Sequence, residues 1–371
     1  MQPSPFVFDR PLGADDLVGR AAERDALVRM ALGGQSTRLA APRRYGKTTL
    51  IAAVMAAVRE QGMEAVRVDL DGVLTAGQVV ERIAAAFDAQ LGSAPARAVR
   101  ALLRGVVRVR LGVVEWERDR GRGPDPLSAL HAVLAAPEEV VARTGRRVLV
   151  AFDEFQQVDR LRDADAVQGT MRSRVQHQRE AASYLFAGSQ PGLLAMLFED
   201  GERPFFGQAT AVDLPPLPDD ALAEYVAERF AATGRDAGPA LEPLLGVARG
   251  HPQRAMMLAD ALWSATPDGT TATAEAWDGA LAGCDARLAE VFERLWDRLP
   301  RYEAGVLRAV AAGSSSLFNR GAAERYGLGN PRGAQRARDE LLRKGDLRVD
   351  AAGRLEVTDP MLRRWLAALD R

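Results

Sequence analysis

Lysine is almost missing from this chain: among 49 cationic side chains in 371 residues, only Lys47 and Lys344 are lysines. A single cysteine, Cys284, rules out an internal disulfide and fits a reducing compartment. The three histidines, His131, His177 and His251, are too far apart in sequence to show metal-ligand spacing. No apolar run approaches the roughly 18–20 residues that a helical membrane span needs. The first residues, Met1 to Arg10, show no basic stretch followed by an apolar one. No secretory leader is therefore read, and a cytoplasmic protein with no membrane partner is expected.

What is present is globular in kind, with 47% hydrophobic and 27% charged residues, and long enough for two or three domains. The formal charge of −1 is unevenly spread. Residues 301–371 carry 14 Lys and Arg against 9 Asp and Glu, a balance of +5, which leaves −6 on the rest. A basic C-terminal segment on an acidic body fits either a polyanion partner or an ordinary solvated face.

Periodicity predicts helices over Ala21–Leu32, Thr48–Gln61, Ala76–Gln90, Ala94–Arg104 and Leu127–Arg143. Strands are expected at Ser36–Ala41, Ala65–Leu70, Arg147–Asp153, Ser183–Ser189 and Thr210–Pro215, with a strand or hairpin in Val106–Glu117 and a loop at Gly121–Pro126. Strands alternating with helices imply an α/β parallel sheet covered on both faces. From Asp219 to Asp278 the pattern is all helical. The last segment reads as helices Glu303–Ala312, Arg320–Tyr326 and Pro331–Lys344, a strand pair Leu347–Asp350 and Arg354–Thr358, and a helix Met361–Leu369, the order of a winged helix-turn-helix. The expected division is a core over 1–217 with an elaboration at about 91–125, a helical lid over 218–299 and a winged helix over 300–371.

One of the two lysines sits in Ala41-Pro42-Arg43-Arg44-Tyr45-Gly46-Lys47-Thr48-Thr49, between a strand and a helix. At this lysine frequency a chance Gly-Lys-Thr arises in about 2% of such chains. The layout resembles a Walker A loop, whose amides and helix N-terminus face phosphates. Lys47 would reach the β- and γ-phosphates of ATP, or the β-phosphate of ADP, and the Thr48 hydroxyl would bind Mg²⁺. The first glycine of the motif is here Ala41. Val148–Asp153 ends as a Walker B strand, so Asp153 would hold Mg²⁺ through water, or else cap the following element. Glu154 is placed as a general base for the attacking water. Ser189, closing Gly188-Ser189-Gln190, either senses phosphate or starts a loop.

With these motifs in this order, the chain resembles the archaeal-type prokaryotic P-loop ATPases of the AAA+ and STAND kind that are related to origin-recognition initiators. The resemblance rests further on Val18-Gly19-Arg20, Gly250-His251-Pro252, Asp359-Pro360 and Trp365-Leu366. It implies strand order 5-1-4-3-2, a helical lid, a winged helix and adenine as the base; no guanine-specific Asn-Lys-x-Asp segment occurs. It also implies nucleotide contacts from Arg20 and from Pro252 and Arg254 in a sensor-2 region, although Arg254 at a helix start also fits a solvent-facing residue. Relatives often carry arginine after the segment corresponding to Pro204–Gly207, where this chain has Gln208. Slow turnover is expected, or substitution by Arg172 or Arg174.

Arg332, Gln335, Arg336 and Arg338, with Arg343, Lys344 and Arg354 near the wing, fit contact with DNA. Interleaved Asp339, Glu340, Asp346 and Asp350 fit a protein-docking or homo-oligomer module equally. The preferred reading is a nucleotide switch with slow ATP hydrolysis. Its rivals are a DNA-binding regulator with a vestigial ATP site and a STAND-type scaffold that oligomerises on ATP.

Overall fold

The computed structural model describes residues 3–92, 108–110, 113–115, 125–314, 320–350 and 352–369. The helix expected at Ala94–Arg104 and most of the Gly121–Pro126 loop lie outside them. The chain forms two compact units. One comprises Ala21–Ala41 and Leu50–Leu214; the other comprises Met1–Arg20, Pro42–Thr49 and Pro215–Arg371.

The first unit is built on a parallel sheet of β1 (Thr37–Ala40), β2 (Glu64–Asp69), β5 (Val148–Asp153), β6 (Ala182–Gly188) and β7 (Thr210–Asp213), in the spatial order β2-β5-β6-β1-β7. Counted within the sheet alone, that order is 5-1-4-3-2 read from the other edge, as expected. A short antiparallel hairpin, β3 (Arg108–Arg110) with β4 (Val113–Glu115), stands apart from this sheet. Every residue of β1, β5 and β6 is buried, the mark of central strands covered on both faces, whereas β7 is mostly exposed at the edge. Behind β5 and β6, Phe152, Phe155, Phe186, Phe198 and Phe205 pack ring on ring, with centroids 4.6–5.9 Å apart in the contacting pairs.

The single helix expected over Leu127–Arg143 is two, Pro126–Val133 and Ala136–Thr144. Pro137 supplies no backbone donor and its ring would strike the Val133 carbonyl, so the first helix stops and proline opens the next.

The second unit is helical apart from β8 (Leu347–Val349) and β9 (Leu355–Val357). Its helices run Asp219–Ala231, Leu241–Ala248, Pro252–Ala265, Ala274–Trp296, Arg301–Ala311, Arg320–Tyr326, Pro331–Lys344 and Pro360–Ala368. One hydrophobic cluster runs through it, from Phe6 and Phe230 through Leu258, Trp277 and Leu307 to Leu366. Trp365 packs against Phe292 and Trp296 of the long helix, rather than within residues 300–371 alone. No helix among the described residues is long and apolar enough to cross a membrane.

Gly250 closes the turn before Pro252. It has φ +70°, and a Cβ there would lie 2.5 Å from the Leu217 carbonyl oxygen and 2.6 Å from Pro216 Cβ. Left-handed strain and overpacking add, so Gly250→Ala is expected to lower stability by about 3 kcal/mol. Urea unfolding with an unchanged m-value checks this; a loss within experimental error would refute it.

Candidate functional site

Of the expected loop, Ala41 belongs to the first unit and Pro42–Thr49 to the second. The loop backbone explains why the missing first glycine is tolerated. The left-handed residues are Arg44 (φ 68°) and Gly46 (φ 81°), and Ala41 is not among the positive-φ residues. A methyl group at Ala41 therefore meets no conformational penalty; it is fully buried, and its amide donates to the Gly188 carbonyl at 3.3 Å. Arg44 carries the unusual angle, at a cost of about 1–2 kcal/mol. The helix begins at Lys47, one residue before the expected start, and so turns its free amide end toward the loop. Lys47 and Thr49 are buried and Thr48 is half-buried.

Arg20, Arg44 to Thr49 and Pro252 border one cavity of about 320 Å³. Apolar side chains supply much of its wall, among them Phe8, Leu12, Val18, Leu217 and Met256. The volume suits a small organic ligand, and apolar faces beside a helix N-terminus suit a flat base joined to phosphates. Ala41, Pro42, Arg43 and Arg254 do not border this cavity. The N-terminal residues Val7 to Leu17 were not foreseen as site residues, since no motif marks them. Arg20 is buried, and its guanidinium donates to the Pro215 carbonyl.

Arg254 is buried and held by a carboxylate, not turned to solvent. Its Nε donates to Asp359 Oδ1 at 3.0 Å and to Oδ2 at 3.1 Å, and Nη2 donates to Oδ2 at 2.5 Å. Asp359 is also the N-cap of the Pro360–Ala368 helix, accepting from the amides of Met361 and Leu362. Burial alone would raise the Asp359 carboxyl; the hydrogen bonds and charge of Arg254 outweigh it and hold the group below its ordinary value. Beside it, Glu356 takes Arg249 and Arg348 together. On the loop side, burial followed by the like charges of Arg254 and Arg43 pushes the Arg44 guanidinium down, although Asp359 opposes this. Several cations crowd a loop of exposed amides, an environment that favours an anion.

His251 links these parts. Its Nδ1 accepts from the Arg254 amide at 3.3 Å, capping the Pro252–Ala265 helix, and its ring meets Tyr45 edge to face at 5.0 Å. Nδ1 as acceptor leaves the proton of the neutral ring on Nε2.

In the first unit the sheet places the ends of β5 and β6 side by side, with β6 between β5 and β1. Asp153 is buried at the end of β5; its Oδ1 accepts the Glu154 amide at 3.0 Å and its Oδ2 accepts Arg67 Nη2 at 2.7 Å. Glu154 is left-handed (φ 53°, ψ 39°), and its Oε2 accepts Ser189 Oγ at 2.7 Å and Gln156 Nε2 at 2.5 Å. The structure thus brings together Glu154 and Ser189, which the sequence had singled out separately, and adds Arg67 and Gln156, which it had not. Gln156 lies two residues past Glu154, which was the available signal. Arg174 bonds Glu138 and His131, so of the two proposed substitutes for the arginine missing at Gln208 only Arg172 is exposed.

The hydroxyl of Thr48 and the carboxylate of Asp153 are hard oxygen donors of the kind Mg²⁺ takes. Among the described residues no three His, Cys, Asp or Glu converge as a metal site would require.

No family model and no curated protein matches the sequence. Solved structures do. A Walker-type ATPase of Pyrococcus abyssi aligns at 17% identity over 96% of this chain and 98% of that one, with a TM-score of 0.69. The Aeropyrum pernix ORC2 protein in its ADPNP–ADP complexes aligns at 16% identity over 99% and 97%, with a TM-score of 0.60. The chain has the fold of the Walker-type and ORC P-loop ATPases. The Aeropyrum pernix ORC1 protein, solved in complex with DNA, also aligns, at 15% identity over 95% and 93%, with a TM-score of 0.50.

Burial, the largest influence, lowers the His251 pKa to about 4. Between pH 6.5 and 4 the unfolded chain binds this proton and the folded chain does not, so stability falls as pH drops through that window, by up to about 3 kcal/mol. His251→Asn keeps a capping acceptor without the titration. Its stability should vary less with pH over this range than that of the parent, as read by urea unfolding at several pH values; equal slopes would refute the assignment.

Proposed function

We propose that the protein binds ATP with Mg²⁺, hydrolyses it slowly, and uses the nucleotide to control its C-terminal helices and hairpin, read as a winged helix. The supporting observation is the pairing of Arg254 with Asp359 in the same compact unit as the 42–49 loop. It joins a side chain suited to phosphate to the first turn of the last helix.

On this reading Lys47 and the loop amides hold the phosphates, and Thr48 and Asp153 hold Mg²⁺. Bound Mg²⁺ would neutralise phosphate charge during transfer. Glu154 takes a proton from water, whose oxygen forms the new bond to the γ-phosphorus as the bridging bond to ADP breaks. The γ-phosphate competes with Asp359 for Arg254, and its loss returns the arginine to the helix cap. Gln208 in place of arginine favours a slow switch over a motor.

Calorimetry with Mg·ATP should show binding that Lys47→Ala abolishes. Asp359→Asn retains a helix cap but releases the charge on Arg254, and should tighten ATP by about tenfold while affecting ADP less. Binding that ignores Lys47→Ala would refute the site, and equal ATP affinity in Asp359→Asn would refute the coupling.

A DNA contact is supported by the distribution of partners along Pro331–Lys344. Arg338 pairs with Asp339, Arg343 with Glu340, and Lys344 with Glu303 and Glu340. Arg332 and Arg336, one helical turn apart, are exposed, and neither makes an ion pair among the described residues. If this face meets duplex phosphates, replacing both by alanine should weaken binding at low salt and reduce the salt slope by about 2. Gel-shift titrations at several salt concentrations test this, and an unchanged slope would count against it.

A further inference from the structure

We infer that Gln156 is a positioning residue for Glu154, one half of a two-donor clamp whose other half is Ser189. The inference rests on the proposed hydrolytic reading and adds a residue that the Walker motifs do not name.

Both donors meet the same oxygen. Ser189 Oγ approaches Glu154 Oε2 to 2.7 Å and Gln156 Nε2 to 2.5 Å. They come from opposite sides in the chain, one from the turn after β6 and the other from the 3₁₀ turn Phe155–Arg160 after β5. Both side chains are almost wholly buried, Gln156 at 1% exposure and Ser189 at 3%. Buried donors just past the ends of neighbouring parallel strands have little room to move, so they fix where the carboxylate points. A carboxylate has about four acceptor sites, and two donors on one oxygen orient it without exhausting its capacity to accept a proton.

The energetics argue that this contact is not kept for stability. Gln156 Oε1 is buried with no hydrogen-bond partner. An orphaned acceptor costs about 1–3 kcal/mol, enough to cancel the gain from its amide donor. An apolar side chain of the same length would avoid that cost. Glu154 itself is held left-handed, a further strain of about 1–2 kcal/mol. Gly188 completes the arrangement by omission, because a Cβ there would fall onto Gln156 Oε1. A costly amide, with a glycine leaving room for its oxygen, and a strained backbone thus surround one carboxylate. The return is a general base aimed before substrate arrives.

The test compares the full-length protein with Gln156→Met, close in volume but without a donor, and with Glu154→Gln. Steady-state ATP turnover, ATP affinity by calorimetry, affinity for ADP with aluminium fluoride and thermal unfolding are measured on all three. The expected result for Gln156→Met is a kcat reduced by about 10- to 100-fold, ATP affinity within twofold of the parent, weaker binding of the aluminium fluoride complex, and an unfolding temperature equal or higher. A purely structural glutamine would instead lower the unfolding temperature and leave kcat in place. If Glu154→Gln abolishes turnover while Gln156→Met keeps kcat within twofold, the positioning role is overturned and the hydrolytic reading stands. If the parent chain does not turn over ATP, or Glu154→Gln turns over as the parent does, the hydrolytic reading falls and takes the clamp with it.

Discussion

Parallel strands all end at the same edge of their sheet, and this constraint organises the chemistry of the first unit. Because β5 and β6 are neighbours, Asp153, Glu154 and Ser189 emerge together, although the chain separates the two acids from the serine by more than thirty residues. The full burial of these strands keeps that edge stiff, and the phenylalanines behind it leave little freedom for the turns to drift. Short side chains can then reach one another without loops that would have to be ordered at each event.

The second unit relies on a different economy. Two of its buried charges sit in ion pairs: Arg254 with Asp359, and Glu356 with both Arg249 and Arg348. Such pairs add little net stability over well-packed apolar residues, but removing one partner strands the other. They therefore specify an arrangement more than they strengthen it. Pairs with two acceptable partners are also the contacts through which a bound anion can act, because a phosphate competes for the same cation.

Much of this was legible in the sequence because it follows from periodicity and from residues with unusual backbone or chemical demands. The continuous apolar runs of β5 and β6 read as buried parallel strands, and the helices Ala21–Leu32, Ala76–Gln90, Arg320–Tyr326 and Pro331–Lys344 have the expected bounds. Gly46-Lys47-Thr48 stood out because lysine is so scarce. What could not be read depends on long-range pairing. The partner of Arg254 lies 105 residues away, and Arg67 meets Asp153 across 86. The apolar wall given by Phe8 and Leu12 has no motif, because single hydrophobic residues read alike whether they line a cavity or fill a core. The break between Val133 and Ala136 was readable from Pro137 and was overridden by the apolar spacing on either side.

Asp359 serves two masters. The same carboxylate holds the amides of a helix's first turn and the guanidinium of Arg254. Where two ligands share one acceptor, reciprocity requires that whatever strengthens its hold on one changes its hold on the other by the same free energy. The fraying of the last helix and the freedom of Arg254 are thus two readings of a single equilibrium. On the proposed reading, an anion that drew Arg254 away would be felt in the first turn of that helix.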